Sequence, residues 1–232
     1  MRFEAMPATW ARDARTCWDE ARRMRLPAGA HTSRPWVIHE LAPEFELEDV
    51  WALPTSGGPD DLATLVEMVA GGELHASSPA SRALFAIRWK LGELLGWDEQ
   101  PADGGKPPPS LRDRLGPELR GAPTGPSAPG YPFTPLYLLH DEYAAEIINA
   151  TVHGVLHVGW VPDGDGGHRG QMAVLVKPNG VLGRVYLAAI RPFRYLVVYP
   201  PMIRGLGKAW AAREGGGSDA ATIPAPAVTA GG

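Results

Sequence analysis

The sequence predicts an α+β protein in which a curved antiparallel sheet wraps around a long, kinked C-terminal helix. Three observations predict it. The strand candidates "TPLYLL", "YAAEIIN", "TVHGVLHVGWV" and "RGQMAVLVK" follow one another in a single block. Two short helical stretches precede that block, after a first extended segment, and a long apolar stretch of helical period follows it. Strands grouped in this way, rather than alternating with helices, argue against a parallel α/β sheet.

The elements can be justified in chain order. Residues 7–25 place Trp10, Ala14, Cys17, Trp18, Ala21 and Met24 at three- and four-residue steps, with arginines between them, which predicts an amphipathic helix. It forms an N-terminal extension, residues 1–30. "WVIHELAPEFELEDVWAL", Trp36–Leu53, alternates apolar and polar residues and reads as extended chain bent at Pro43. "PDDLATLVEMVAG" is a short helix ended by Gly71, and "SPASRALFAIRWKLGELLG" is a second, capped by Ser78 and closed by Gly96. Residues 98–135 are rich in Pro and Gly, with at most one helical turn around Leu111–Leu115. The four strands follow, "PDGDGG" joining the last two as a hairpin. The folded domain spans residues 31–213, and "EGGGSDAATIPAPAVTAGG" reads as a disordered tail over residues 214–232.

Composition bounds the function. The 232 residues suffice for one domain with a sizeable core, and the net charge of −4 offers no basic field to nucleic acid. A single cysteine, Cys17, permits no internal disulfide, which fits a cytoplasmic protein. The apolar run from Val185 to Ile203 has nearly membrane-spanning length, but Arg191 and Arg194 lie at its centre. Each would cost about 2.5–3.5 kcal/mol in a bilayer, so stable membrane insertion is not expected.

Why two arginines stand there is the central question. As a helix, "GRVYLAAIRPFRYLVVYP" puts Tyr186, Ile190, Phe193 and Val197 on one stripe. Pro192 lacks an N–H and presses on the carbonyl of Ala188, so the helix should kink there. The alternative is that "RYLVVY" forms a further strand. Arg191 and Arg194 flank the apolar stripe, where a guanidinium could fix an anionic or carbonyl group of a ligand.

Asn179, Leu182, Gly183, Arg184, Tyr186, Leu187, Ile190, Arg191, Pro192 and Phe193 together resemble the C-terminal signature of a bacterial family of unknown function. That family is in turn similar to the helix-grip superfamily of polyketide cyclases, START lipid-transfer domains and birch-pollen-type allergens (SRPBCC). The resemblance implies a ligand cavity between the sheet and the C-terminal helix. Arg194 stands where the family tends to have histidine.

Other residues of chemical interest are few. His153 and His157 share one face of a strand but lie roughly 13 Å apart, too far to share a metal ion. Either could line a cavity or act as a base. Glu146 is an acid inside an apolar strand; beside Arg191 it would be held ionised, and unpaired its proton affinity would rise. "HDEY", His140–Tyr143, reads as a turn. Trp89 and other tryptophans offer cavity walls. No metal site, phosphate loop, dinucleotide fingerprint or nucleophile elbow is present in the sequence, and no cofactor is implied.

The functional expectation is a binder of a small apolar or aromatic metabolite, with Tyr186, Ile190, Phe193, Arg194, His153 and Trp89 lining the site. If the protein is an enzyme, His157, Arg191 and Glu146 would carry cofactor-free acid–base chemistry of the cyclase, dehydratase or isomerase type. The competing expectation is a non-catalytic interaction module that recruits a partner or membrane through the N-terminal Trp/Arg helix. A homodimer is compatible with either.

Overall fold

The structure, a computed structural model, describes residues 23–70, 108–128, 131–149 and 151–216. Among them six strands form one antiparallel sheet: β1 (Arg25–Leu26), β2 (Glu46–Gly57), β3 (Thr134–Leu138), β4 (Glu142–Ile148), β5 (Val152–Pro162) and β6 (His168–Pro178). Their order across the sheet is β1-β2-β6-β5-β4-β3. The last four strands form a meander, so short turns suffice to join them, and β6 then pairs with the much earlier β2. The α+β expectation and the "PDGDGG" hairpin are both found. The end of the N-terminal helical expectation is not: Arg25 and Leu26 pair as a strand with Trp51 and Val50. Residues 1–22 and the second short helix, including Trp89, fall outside the described residues.

The sheet is covered on both faces, which explains why β5 reads as a nearly unbroken apolar run. Every residue of β5 from Val152 to Val161 is buried. Leu156, Val158 and Trp160 point to one face and pack with Trp51, Leu53, Met172 and the helix α3 (Leu62–Ala70). Val155 and Val161 point to the other, where they meet Ala173, Leu175, Trp36, Ile38, Leu111 and Leu115. This second face is closed by short pieces of chain. They are α1 (Gly29–Thr32), α2 (Val37–Leu41), a 3-10 turn (Leu111–Arg114) and α4 (Pro117–Arg120).

Helix α2 is a correction to the expectation of extended chain from Trp36: the strand begins only at Glu46. The alternation that suggests a strand belongs to residues after Pro43, whereas Ile38 and Leu41 are buried at helical spacing. Pro54 is tolerated within β2 because the register slips between Ala52 and Ser56.

The chain ends in helix α5 (Gly180–Phe193), a wide π turn (Arg194–Val198) and helix α6 (Tyr199–Gly216). The segment "RYLVVY" is therefore helical, not a strand. The wide turn lies between Pro192 and Pro200, each of which lacks the N–H that would bond four residues back. Helix α6 lays Ile203, Leu206 and Trp210 on the first face of the sheet. The inward line of α5 is turned from the expected stripe. Leu187 is buried against Val152 and Val176, Tyr186 is only partly so, and Gly183 lies so close to the Thr151 carbonyl that a Cβ would collide.

Candidate functional site

On the second face, the sheet buries two glutamates and two histidines. In β4, Glu142 and Glu146 alternate with Tyr143 and Ala145, so both acids point away from α6. His153 and His157 point the same way from β5. The register offsets each acid from its histidine: Ala144 lies opposite His157, and Glu146 opposite Val155. The outcome is two diagonal pairs, His157 Nε2 to Glu142 Oε2 at 3.2 Å and His153 Nε2 to Glu146 Oε2 at 2.8 Å.

The two pairs have different surroundings. Glu146 also accepts from Ser110 Oγ and from the backbone N–H of Leu111 at 3.0 Å, while Phe45 stands edge-on to His153. Burial alone would raise its proton affinity, but the bonds from His153, Ser110 and Leu111 outweigh it and hold Glu146 below the usual carboxylate range. Glu146 is therefore an ionised pin for the Ser110–Leu111 segment, and its partner is His153 rather than Arg191.

Glu142 accepts both oxygens' bonds from a single donor, the N–H of Val37, at 3.0 and 3.1 Å. Burial pushes its pKa up to about 7, opposed by Tyr137 and by Val37, and reinforced by the neighbouring charge of Asp141. The Tyr137 hydroxyl is near enough to favour the ionised carboxylate, yet it makes no aligned hydrogen bond and has no other partner. The indole Nε1 of Trp36 is likewise buried without a partner. Trp36 packs against His157 with the rings tilted and their centres 5.1 Å apart, in a space that exists because residue 159 is glycine. A Cβ on Gly159 would lie 2.7 Å from the indole.

His157 is the inner member of a longer chain. His31 Nε2 lies 3.2 Å from His157 Nδ1, and His39 Nε2 lies 3.1 Å from His31 Nδ1. His31 and His157 are fully buried, whereas His39 is half-exposed. Burial first, and then the charge of neighbouring imidazoles, pushes His31 down to about 3 and His157 far below the ordinary imidazole range. Both are neutral at physiological pH. The cover that carries His31, Trp36 and His39 is tied to the sheet again by Gln171, whose Nε2 donates to the Ala30 carbonyl at 3.1 Å.

The structure does not gather the expected site residues into one place. His157, His153 and Glu146 lie on the second face. Arg191, Arg194, Tyr186 and Ile190 belong to the helical run on the first, with the sheet between them. Arg191 is half-exposed and forms a two-pronged pair with Glu48, 2.9 Å at the closer contact. Arg194 Nη2 binds Asp49 at 2.8 Å and its Nε donates to the Tyr199 hydroxyl at 2.9 Å, while Trp51 Nε1 donates to Asp49 at 3.1 Å. Both guanidinium groups are thus committed to strand β2. Trp89 and the side chain of Phe193 lie outside what is described.

A pocket of about 420 Å³ opens on the second face, lined by Leu115, Leu119, Leu136 and Thr124 with Arg112, Asp113 and Arg120. Leu136 immediately precedes Tyr137 in β3. Among the described residues no group of three or more histidines, cysteines or acids is placed to hold a metal ion. No described helix is long and apolar enough to cross a membrane.

Sequence reading missed Glu142, Tyr137, Trp36, His31 and His39. The first had a signal: Glu142 and Glu146 share the four-residue spacing of His153 and His157, on adjacent strands. The cover residues had none, because their placement depends on how residues 29–41 fold back over the sheet.

Fold and site together define an α+β protein with an antiparallel sheet covered on both faces and a histidine–glutamate chain buried under one cover. The chain belongs to DUF2867, a family described as a protein of unknown function, whose model matches residues 41–201. Glu142 and His157 lie within the matched span, and His31 and His39 precede it. No curated protein and no solved structure matches the chain.

Proposed function

We propose that the protein binds a small, largely apolar carbonyl compound and performs cofactor-free acid–base chemistry on it at Glu142. The observation that carries this reading is a buried carboxyl with a proton affinity near neutrality, beside the Tyr137 hydroxyl, which faces it without an aligned hydrogen bond, and the Trp36 indole N–H, which is buried without a hydrogen-bond partner. Proton transfer is most efficient when the catalytic group titrates near the working pH. An unpaired buried donor costs about 1–3 kcal/mol, so a carbonyl oxygen between these two would be bound favourably. Glu142 would take a proton from the carbon next to that carbonyl and return it elsewhere on the same molecule. Tyr137 and Trp36 would hold the developing negative oxygen. No oxidant or co-reactant is consumed, as in an isomerisation or the enolisation step of a cyclisation or dehydration.

The pocket beside β3, lined by Leu115, Leu119 and Leu136 together with Arg112, Asp113 and Arg120, offers apolar and polar walls to such a ligand. Access to Glu142 requires displacement of α1 and α2, helices of only four and five residues. The likeness to helix-grip proteins of the SRPBCC superfamily is part of this proposal, supported by the long C-terminal helix against an antiparallel sheet. The ligand site is moved to the opposite face from the one that likeness implies, because Trp51, Tyr199, Ile203, Leu206 and Trp210 pack together beneath α6.

The test is deuterium incorporation from heavy water into a panel of cyclic and aromatic ketones. The wild-type chain should label the carbon next to the carbonyl, and Glu142→Gln should not. Labelling by neither, or equally by both, overturns the proposal.

A second reading is favoured by one observation. Val181, Val185 and Leu196 are 75%, 60% and 40% exposed along the outer side of α5 and the π turn, an apolar strip suited to a protein contact. Concentration-dependent self-association lost on Val185→Glu would support it, and a monomer at all concentrations would remove the homodimer form. Recruitment through residues 7–25 concerns a segment outside the described residues, apart from its last three.

A further inference from the structure

We propose that His39, His31 and His157 form a proton wire that loads and unloads Glu142 from solvent by reversing the tautomers of all three imidazoles. The inference deepens the acid–base reading, since Glu142 is the terminus of the wire, but its geometry stands independently.

Each ring in the chain uses its nitrogens at successive links. His39 Nε2 meets His31 Nδ1 at 3.1 Å, His31 Nε2 meets His157 Nδ1 at 3.2 Å, and His157 Nε2 meets Glu142 at 3.2 Å. A neutral imidazole has one N–H donor and one acceptor nitrogen. Only two arrangements satisfy every link. In the first, all three rings carry the proton on Nε2, each donates inward, and Glu142 is ionised. In the second, all three carry it on Nδ1, Glu142 is protonated and donates to His157 Nε2, and each ring donates outward.

One solvent proton interconverts them. It attaches to His39 Nδ1, and the Nε2 proton of His39 moves to His31 Nδ1. The Nε2 proton of His31 moves to His157 Nδ1, and that of His157 moves to the carboxylate. Three N–H bonds form and three break, one O–H bond forms on Glu142, and no imidazolium remains in the interior. The strongly lowered proton affinities of His31 and His157 favour such transit over storage of charge.

The groups facing the wire act in both directions. Asp141, just before β4, raises the proton affinity of Glu142 and of His157, while Tyr137 in β3 and, from the cover, the N–H of Val37 and His39 lower that of Glu142. On the cover, Arg34 lies over Trp36 with its guanidinium carbon 5.8 Å from the ring centre. In β6, the neutral Gln171 donates to the Ala30 carbonyl of the cover, and Arg169 faces Arg34. Glu142 titrates near neutrality while His31 and His157 are held far below it, which makes the carboxyl the place in the interior where the proton comes to rest.

The experiment is nitrogen NMR of the full chain labelled with 15N-histidine, from pH 5 to 9, with His31→Gln, His39→Gln and His157→Gln used for assignment. The three rings should exchange their pyrrole-type and pyridine-type nitrogens together, at one midpoint, and Glu142→Gln should lock them in a single tautomer throughout. His39→Gln, a change at a half-exposed position, should leave His31 and His157 coupled but slow the exchange until two sets of signals are seen. Rings that titrate singly to the doubly protonated form, or that keep one tautomer over the whole range in the wild type, overturn the wire. Concerted switching without ketone labelling would leave the wire standing and remove the carbonyl reading; labelling without switching would do the reverse.

Discussion

The imidazole of His157 and the carboxylate of Glu142 meet at 3.2 Å across two neighbouring strands, with side chains 0% and 2% exposed. Roughly 13 Å along the same strands, by the rise of about 3.3 Å per residue, the same two residue types meet again as His153 and Glu146. One carboxylate is held ionised by three donors and the other is driven toward its neutral form by burial. Two like acids in adjacent settings thus acquire separate roles, one fastening a loop and one able to exchange a proton.

The buried Glu142 should make the protein weaker in alkali. Its folded pKa of about 7 lies above the ordinary 4.5, so its contribution is fully present below about pH 4.5 and is lost as pH rises through 7. Glu142→Gln should therefore gain on the wild type by up to about 3 kcal/mol between pH 4.5 and 8.5. Urea unfolding of both chains across that range gives the difference directly, and parallel curves would refute it.

His31 and His157 act in the opposite sense. Their folded pKa values are lowered, so the stability they contribute is present above the ordinary 6.5 and is lost on acidification. Between pH 6.5 and 4.5 proton uptake by Glu142 in the folded state offsets one of the two, and below 4.5 that offset disappears. The stability of the wild type should fall gently at first and then more steeply. His157→Gln should remove about 1.4 kcal/mol per pH unit from the slope, measured by denaturant titration.

Gly159→Ala should displace the cover. The new methyl would meet the rigid indole of Trp36 at 2.7 Å. A loss of about 1–3 kcal/mol is expected. Adding Trp36→Leu should recover part of it, a coupling that a double-mutant cycle reads; simple additivity would place the damage elsewhere.

The two arginines of the C-terminal run should behave differently. Arg194→Met leaves Asp49, whose side chain is 0% exposed, without its partner. The expected cost is about 3–5 kcal/mol. Arg191 is 52% exposed in its pair with Glu48, and Arg191→Met should cost under about 1 kcal/mol. Comparable losses from the two substitutions, read by thermal or urea unfolding, would contradict this ordering.

Much of the fold was legible because it rests on local pattern. The four strands from Thr134 to Pro178, the helix at Leu62–Ala70 and the helical run through Pro192 follow from period, turn residues and proline chemistry. The cover was not, since "WVIHEL" alternates plausibly as a strand and only burial of Ile38 and Leu41 against the sheet turns Val37–Leu41 into a helix. The site was half legible. The parity of His153 and His157 placed them on one face, but their face could not be told from that of Arg191 without knowing which side α6 occupies. Two arginines inside an apolar run point toward a ligand, whereas Glu48 and Asp49, in the polar stretch of β2, answer their charge.

The joint between His31 and His157 crosses from the cover to the sheet, while the joint between His157 and Glu142 lies within the sheet itself. Lifting the cover therefore severs the conduit at its middle and leaves the inner pair intact. From that instant the acid exchanges with bulk water at first hand instead of through the rings. Admission of a guest and loss of the relayed route would then be one and the same movement.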